Sequence, residues 1–317
     1  MSDNKILEEP IKNGFGKGLA KAAQEDSNIV ALCADLTEST QISLFKKEFP
    51  ERFIEVGVAE QNLVSVASGM AKMNKIPFIS SYAAFCPGRS WEQIRTTICI
   101  NNQNVKIVGS HAGLGVGPDG ATHQALEDIA LMRVLPNMQV FAPADSTEAQ
   151  KITIAIAKTK SPSYIRLSRQ PVPTFTKQAG EFKIGEGVRL KEGHQITILS
   201  TGTATWHALQ AGLKLKEEGI DAEVLHFPTI KPLDRKMIIE SAKKTKRFIT
   251  VEDHQIAGGF GSAVAEVVSE EFPIPTIRVG VEDKFGQSGT PDELFRLYGI
   301  TSTNIIKKAH QLIKKTS

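Results

Sequence analysis

The amino-acid sequence predicts an α/β protein made of two consecutive domains, each with a mainly parallel sheet covered by helices. Short runs of β-branched and apolar residues alternate along the chain with segments of helical periodicity, which is typical of parallel strands joined by crossover helices. Prolines and glycines interrupt this alternation after residue 170, and it resumes near residue 194. We therefore predict a first domain over residues 1–170, a linker over 171–193 and a second domain over 194–317.

The predicted elements of both domains follow this alternation. In the first domain, strands are predicted at residues 29–32, 52–56, 76–80, 105–108, 138–141 and 164–167, and helices at 14–24, 60–73, 89–99, 126–133 and 146–158. In the second domain, strands are predicted at 195–199, 222–226, 247–251 and 276–279, and helices at 205–217, 235–243, 261–270 and 302–313. Because helices lie between successive strands, the strands are expected to pair in parallel.

Composition and charge argue against two functional classes, nucleic-acid-binding proteins and membrane proteins. The chain has 317 residues, of which 41% are hydrophobic and 23% charged, and this is ordinary for a globular protein. Its formal net charge is +3, and most basic residues are interspersed with acids, so nucleic acid is not expected as a partner. The N-terminal segment lacks the pattern of a signal peptide, and no apolar run has the length of a membrane span. We therefore expect no membrane association and a cytoplasmic location.

The cysteines indicate neither a disulfide framework nor a zinc cluster. Cys33, Cys86 and Cys99 are odd in number and form no CxxC pair. This pattern fits a reducing compartment.

A helix rich in small residues is predicted from Ala59 to Ala71. Its small residues are spread around most of the circumference, which predicts burial on several sides, either between two subunits or in the centre of one large domain. Glu60 opens this helix. One interpretation is structural, because an acid in the first turn meets the positive end of the helix dipole. The other is that a buried carboxyl group is held protonated or hydrogen-bonded, as a proton donor to a ring nitrogen must be.

The segment from His111 to His123 is the most informative part of the chain. It leaves the carboxyl end of a predicted parallel strand, where open α/β sheets place their ligands. Its glycines and proline add nothing to a core, yet the loop carries two histidines and Asp119, which favours a functional role over a structural one. The histidine spacing matches no zinc signature, and Pro118 follows the glycines where a dinucleotide-binding loop would open a helix.

Other polar and aromatic groups follow predicted strands and have structural alternatives. Tyr82 and Phe85 are typical of ordinary packing or of an aromatic ring pocket, which Trp91 would extend. The segment ending at Ser39 fits a turn and helix cap. Arg169, like Arg166, fits a surface charge. The glycines around residues 258–261 predict a close strand-to-helix turn, because the Lys-Ser/Thr pair of a phosphate-binding P-loop is missing.

Several motifs taken in order closely resemble the C-terminal half of transketolases, and the resemblance covers nearly the whole chain. The motifs are Ala34-Asp-Leu-Thr-Glu-Ser39, Phe53-Ile-Glu-Val-Gly-Val-Ala-Glu60-Gln, Tyr82-Ala-Ala-Phe85, the His111 to His123 loop, Leu167-Ser-Arg-Gln170, and the stretches 251–266 and 280–289. Each motif alone is moderately specific, whereas their order along the chain is specific.

The resemblance implies a pyrimidine-binding domain followed by the family's C-terminal domain, with thiamine diphosphate across a subunit interface. Glu60 takes the position of the family's glutamate, which hydrogen-bonds the pyrimidine nitrogen and promotes activation of the cofactor. Tyr82 and Phe85 match the aromatic pocket around the pyrimidine ring. A third family aromatic aligns with Gly88, and Trp91 is the candidate to compensate for it.

The same resemblance implies substrate-binding roles. His111 and His123 match the pair that faces the substrate's hydroxyls and phosphate, and both are candidate catalytic residues. Asp119 matches the acid that recognises the hydroxyl beside the transferred ketol group. Ser39 and Arg169 match phosphate ligands, and the guanidinium fork of an arginine suits a phosphate dianion.

Two departures from the family pattern carry expectations of their own. An arginine expected near the N-terminus corresponds to Lys12. Anion binding is expected to survive but to lose its bidentate geometry, and the candidate acceptors are an unusual sugar phosphate and a sulfonate. The Gly-Asp-Gly segment and the Asn that hold magnesium and the diphosphate in the family follow no strand here. We therefore expect a separate N-terminal-half transketolase subunit to supply Mg²⁺ binding, in a heterotetramer with two copies of each half.

Ketol transfer is accordingly the predicted activity: a two-carbon unit passes from a ketose phosphate to an aldose acceptor, and the chain is inactive without its partner. The alternatives are the β subunit of a 2-oxo-acid dehydrogenase, which the His111 to His123 loop argues against, a deoxyxylulose-phosphate-synthase-like activity, which is normally one long chain, and a catalytically inactive scaffold subunit of the same fold.

Overall fold

The computed structural model describes residues 7–176 and 180–316. The strands are β1 (Glu8–Pro10), β2 (Ile29–Cys33), β3 (Phe53–Glu55), β4 (Ile76–Tyr82), β5 (Lys106–Ser110), β6 (Gln139–Phe141), β7 (Ser163–Arg166), β8 (Pro171–Pro173), β9 (Val188–Lys191), β10 (Ile196–Ser200), β11 (Ala222–His226), β12 (Thr229–Lys231), β13 (Phe248–Gln255) and β14 (Thr276–Val281). None of the helices in these residues is long and apolar enough to cross a membrane.

The α-helices of the described residues are α1 (Ile11–Glu25), α2 (Ser43–Glu48), α3 (Glu60–Lys72), α4 (Trp91–Gln93), α5 (Asp128–Arg133), α6 (Ser146–Ala157), α7 (Ala204–Glu217), α8 (Arg235–Thr245), α9 (Phe260–Glu271), α10 (Pro291–Leu297) and α11 (Ser302–Thr316). A π-helix, Ile94–Cys99, continues α4, and 3-10 helices occupy Pro50–Arg52 and Leu114–Asp119.

The first sheet has the strand order β12-β6-β7-β5-β4-β2-β3 in the described residues and is parallel except for β12. Strand β2 is buried along its whole length. Ile29 and Ala31 contribute to a core cluster with α1 and α6, whereas Val30 and Leu32 contribute to a second cluster with α3. Burial of both faces explains why this strand is an unbroken apolar run.

The second sheet has the order β14-β13-β10-β11-β9 and is parallel except for the edge strand β9. One face packs against α7, α10 and α11, while the other shares its core with the first sheet. The predicted fold class, two α/β units with mainly parallel sheets, is confirmed.

The segment predicted as a linker, residues 171–193, is more ordered than expected. Strand β8 pairs with β1 in a separate two-stranded ribbon, and β9 pairs antiparallel with β11 of the second sheet. Prolines are tolerated in β8 because an isolated edge strand does not need every backbone N–H as a ladder donor. Strand β12, from the second half of the chain, pairs with β6 of the first sheet, so strand pairing joins the two halves.

The surface of helix α3 bears on the expectation that this helix is buried on several sides. In this chain only one side of the helix is buried, and Gln61, Ser65 and Gly69 on the opposite side are exposed. Burial on several sides is therefore not achieved by this chain alone.

Candidate functional site

The carboxyl ends of neighbouring parallel strands bring the predicted site residues to one edge of the first sheet. Ser39 follows β2, Tyr82 ends β4, His111 follows β5 and Arg169 follows β7. Glu60 begins α3 after a short connection, residues 56–59, that follows β3. Ligands of open α/β sheets bind at this edge, so the fold places these side chains where a site is expected.

Glu60 is almost completely buried, with 2% of its surface exposed. Nη1 of Arg89 donates a hydrogen bond to Oε2 of Glu60 at 2.8 Å, and this forms an ion pair. The carboxylate also lies in the first turn of α3, where the helix dipole favours negative charge. Glu60 is therefore both a first-turn acid and a buried, hydrogen-bonded carboxyl group, and its role at a ring nitrogen stays a prediction.

Four rings form the aromatic part of the site. The imidazole of His111 stacks on Tyr82 with ring centroids 3.9 Å apart. Phe85 lies 6.0 Å from Tyr82 and 5.3 Å from His123, measured between ring centroids. The guanidinium of Arg89 lies over Phe85 at 4.9 Å from the ring centroid, and it thereby connects the rings to Glu60.

Backbone geometry explains why a glycine, Gly88, stands at the position of the expected third aromatic. A Cβ atom at Gly88 would lie 2.2 Å from the carbonyl oxygen of Ala84, so this turn excludes any side chain there. Trp91 donates its indole N–H to the backbone oxygen of Leu131 at 2.8 Å and packs against the core. Its ring is thus used for packing against the core.

His111 is held by both its backbone and its side chain. Its φ of 54° lies in the left-handed region, which is uncommon for a residue with a side chain and is often found at functional sites. The Oγ atom of Ser110 lies 2.9 Å from Nδ1 of the ring. Burial, together with the nearby charges of Lys12, Arg169 and His123, lowers the pKa of His111 to about 3. The ring is therefore neutral at physiological pH.

A cluster of basic groups lies beside His111. Nζ of Lys12 donates to the backbone oxygen of Ser39 at 2.9 Å, and burial together with the charge of Arg169 lowers the pKa of Lys12. Nη1 of Arg169 donates to the backbone oxygen of Val116 at 2.9 Å and to Oδ1 of Asp119 at 3.2 Å. Among the residues that the structure describes, one carboxylate, that of Asp119, contacts these two cations, and the arrangement favours binding of an anion.

Two arginines were not recognised from the sequence. Arg89 is the partner of Glu60, and no sequence pattern links positions that are 29 residues apart. Arg166, which the sequence predicts as a surface charge, does not lie on the surface. It is buried, and its Nε donates to Oδ2 of Asp128 at 3.0 Å.

The glycines at 258–261 form the predicted strand-to-helix turn. The backbone N–H groups of Phe260 and Gly261 donate to the carboxylate of Glu252 at 2.6 and 2.8 Å. An internal acid thus occupies the start of α9, and burial raises the pKa of Glu252 to about 7. In the described residues, no group of three or more His, Cys, Asp or Glu side chains is arranged to hold a metal ion.

Comparison with known families assigns both halves of the chain. The model of the transketolase pyrimidine-binding domain matches residues 10–174, and the model of the transketolase C-terminal domain matches residues 185–305. The fold and the site therefore define a transketolase-type α/β protein, and family membership implies dependence on thiamine diphosphate. This chain belongs to the transketolase family.

Several relatives match this chain over nearly their whole length. A protein described as the C-terminal section of a transketolase, from Methanocaldococcus jannaschii, is 45% identical over 309 residues, which is 96% of each chain. A subunit of 6-deoxy-6-sulfo-D-fructose transketolase from Clostridium sp. is 39% identical over 311 residues, covering 98% of this chain and 97% of the relative. A solved split-gene transketolase, described as an inactive β4 tetramer, superposes with a TM-score of 0.90 at 46% identity, covering 96% of this chain and 98% of that one.

Proposed function

We propose that this chain is the pyrimidine-binding subunit of a split transketolase, which transfers a two-carbon ketol unit from a ketose phosphate to an aldose acceptor. The observation that carries the proposal is the meeting of three features at one sheet edge: a buried ion-paired carboxylate, a set of aromatic rings and a basic cluster next to a neutral histidine.

The residues present fit the aminopyrimidine part of thiamine diphosphate. An aromatic ring with polar nitrogen atoms needs flat apolar walls and a hydrogen-bonding partner at its edge. Tyr82 and Phe85 would supply the walls, and Glu60 would supply the partner and hold a proton at a ring nitrogen. When bound, the cofactor supplies the nucleophilic carbon and the electron sink of ketol transfer.

The loop and the basic cluster fit a polyhydroxylated substrate that carries an anionic group. His111 is neutral at physiological pH, so its ring can both donate and accept a hydrogen bond. We assign His111 and His123 to the hydroxyl groups at the reacting end, and Asp119 to the hydroxyl beside the ketol unit. Lys12, Arg169 and the segment at Ser39 would bind the phosphate or sulfonate at the other end.

A partner subunit is part of the proposal. Two relatives are described as the C-terminal section of a transketolase and as a split-gene transketolase in an inactive β4 tetramer. We assign the binding of Mg²⁺ and the diphosphate to an N-terminal-half subunit, with two copies of each half in the assembly. Exposed apolar residues that flank α3 support this, because Val58 and Met73, just before and after the helix, are 70% and 75% exposed.

Cofactor binding tests this proposal. Thiamine diphosphate with magnesium is titrated calorimetrically into the chain alone, into the presumed partner alone and into the mixture. We expect tight binding only in the mixture. Tight binding by the chain alone would contradict the assignment of the diphosphate site to a partner, and no binding by the mixture would favour an inactive scaffold.

A further inference from the structure

The loop that carries His111, Asp119 and His123 is held in place from the second half of the chain. The Oδ1 atom of Asp253, on strand β13, accepts a hydrogen bond from the backbone N–H of Leu114 at 3.0 Å. The backbone of Gly115 also interacts with the same carboxylate. Asp253 thus contacts the loop between its first histidine and its aspartate.

The contact is tight and buried. Asp253 is 3% exposed, and its Oδ2 atom has no hydrogen-bond partner among the described residues. A Cβ atom at Gly113, where φ is +80°, would lie 2.0 Å from that oxygen. Only glycine allows the backbone to approach the carboxylate this closely with this dihedral angle.

Arg166 fixes Asp253 from the side of the first sheet. Its Nη2 atom donates to the backbone oxygen of Asp253 at 2.6 Å, and its Nε atom donates to Asp128 at 3.0 Å. Tyr164 donates its hydroxyl to the same carboxyl oxygen of Asp128 at 2.7 Å. The carboxylate that holds the loop is therefore anchored to strand β7 through a network of buried groups.

A second contact from the same half of the chain holds the far end of the loop. Nε2 of Gln124 lies 3.1 Å from the backbone oxygen of Gly117 and 3.0 Å from that of Gln287. Within the described part of the chain, the second half therefore contacts both the start and the end of the loop.

We propose that Asp253 is a positioning residue, which holds the backbone at Leu114 and Gly115 so that the loop presents His111, Asp119 and His123 in the arrangement that the site requires. The contacts of Asp253 are with the backbone of the loop and with Arg166, and we assign it no contact with substrate. Its effect on turnover rests on the proposed function, whereas its effect on loop order does not.

Hydrogen–deuterium exchange of the full chain tests the effect of Asp253 on the order of the loop. Removal of the acceptor in Asp253→Ala frees the N–H of Leu114, and we expect exchange in residues 111–123 to become about tenfold faster or more. Asp253→Asn keeps an acceptor oxygen, so we expect exchange to return to within about twofold of wild type. Asp253→Ser, which is too short to reach Leu114, serves as the second loss variant if the alanine variant does not fold.

His226→Ala is the matched control. His226 is another buried residue of the second half that contacts the first, because its Nε2 atom lies 2.8 Å from Oε2 of Glu148. We expect this variant to leave exchange in the loop within about twofold of wild type. Equal acceleration in Asp253→Ala and His226→Ala, or unchanged exchange in both Asp253→Ala and Asp253→Ser, would overturn the inference.

The effect of Asp253 on catalysis is tested with the assembled enzyme. A loop displaced by about 1 Å costs about 100-fold in rate, so we expect kcat/KM of Asp253→Ala to fall about 10- to 100-fold while thiamine diphosphate affinity stays within about twofold. A parallel loss of cofactor affinity would instead indicate general unfolding and overturn the role. If no variant and no wild-type mixture transfers ketol units, the proposed function fails, and the exchange comparison still decides the role of Asp253 in ordering the loop.

Discussion

The imidazole of His111 stacks on the phenol ring of Tyr82 with 3.9 Å between the ring centroids. The two residues stand at the carboxyl ends of neighbouring strands, β5 and β4, and their contact joins the aromatic pocket to the loop that carries Asp119 and His123. In the proposed function, the groups that bind the cofactor ring and those that bind substrate are therefore parts of one continuous surface.

Replacement of Glu60 by glutamine tests the role of its carboxyl group. The amide keeps the shape of the side chain but cannot hold an acidic proton at a ring nitrogen, so we expect turnover of the assembled enzyme to fall about 100-fold or more. The far-ultraviolet circular dichroism should not change. Glu92→Gln, at an exposed glutamate of α4, is the control and should keep wild-type turnover. Near-normal activity of Glu60→Gln would contradict the assignment.

Arg89 and Glu60 should be energetically coupled. Because the side chain of Arg89 is 51% exposed, solvent screens the ion pair, and we expect a coupling free energy of about 1 kcal/mol. A double-mutant cycle with Arg89→Ala and Glu60→Gln, measured by urea unfolding, gives this quantity. Additive changes in the free energy of unfolding would show that the pair contributes nothing.

The lowered pKa of His111 predicts that the stability of the chain depends on pH. Its pKa is about 3 in the folded chain and 6.5 for an ordinary histidine, so between these values the unfolded chain binds a proton that the folded chain does not. The stability that His111 contributes is therefore fully present above pH 6.5 and is lost as pH falls towards 3, by about 1.4 kcal/mol per pH unit at most.

The difference between wild type and His111→Asn isolates this effect from other titrating groups. We expect the wild type to lose stability relative to the variant as pH falls below 6.5, and the difference to be constant above pH 7. Urea unfolding between pH 4 and 8 measures it. A difference that is independent of pH over this range would mean that His111 is not held neutral.

We expect Arg169 to recognise the anionic group of the substrate. Arg169→Ala should raise KM for a phosphorylated ketose about 10- to 100-fold, with a smaller effect on kcat, because a charged hydrogen bond contributes about 1.5–3 kcal/mol. Arg169→Lys should lie between wild type and the alanine variant, since the ammonium keeps the charge but loses the fork. Arg296→Ala, at an exposed arginine of α10, is the control. Equal KM changes for phosphorylated and unphosphorylated ketoses would contradict this assignment.

Burial explains which parts of the fold were predictable. Strands such as β2 and β5 are covered on both faces, so they appear in the sequence as short apolar runs. Strands β8 and β12 have three residues each and lie at edges, and β8 contains two prolines. Their pairing depends on partners far along the chain, so local sequence gave no sign of them.

Many of the site residues could be predicted from the sequence because they lie at or just after the ends of predicted strands. The residues that follow β2, β4, β5 and β7 meet because parallel strands share one carboxyl edge. Arg89 and Asp253 were missed because their importance lies in contacts with Glu60 and Leu114, across 29 and 139 residues. No periodicity or short motif reports a pairing over such separations.

Ketol transfer from a ketopentose phosphate tests the central proposal most directly. The assay, with thiamine diphosphate, magnesium and an aldose phosphate acceptor, is run on this chain alone, on the presumed N-terminal-half subunit alone and on their mixture. We expect ketol transfer only in the mixture. Transfer by this chain alone would contradict the assignment of the diphosphate and magnesium site to a partner subunit.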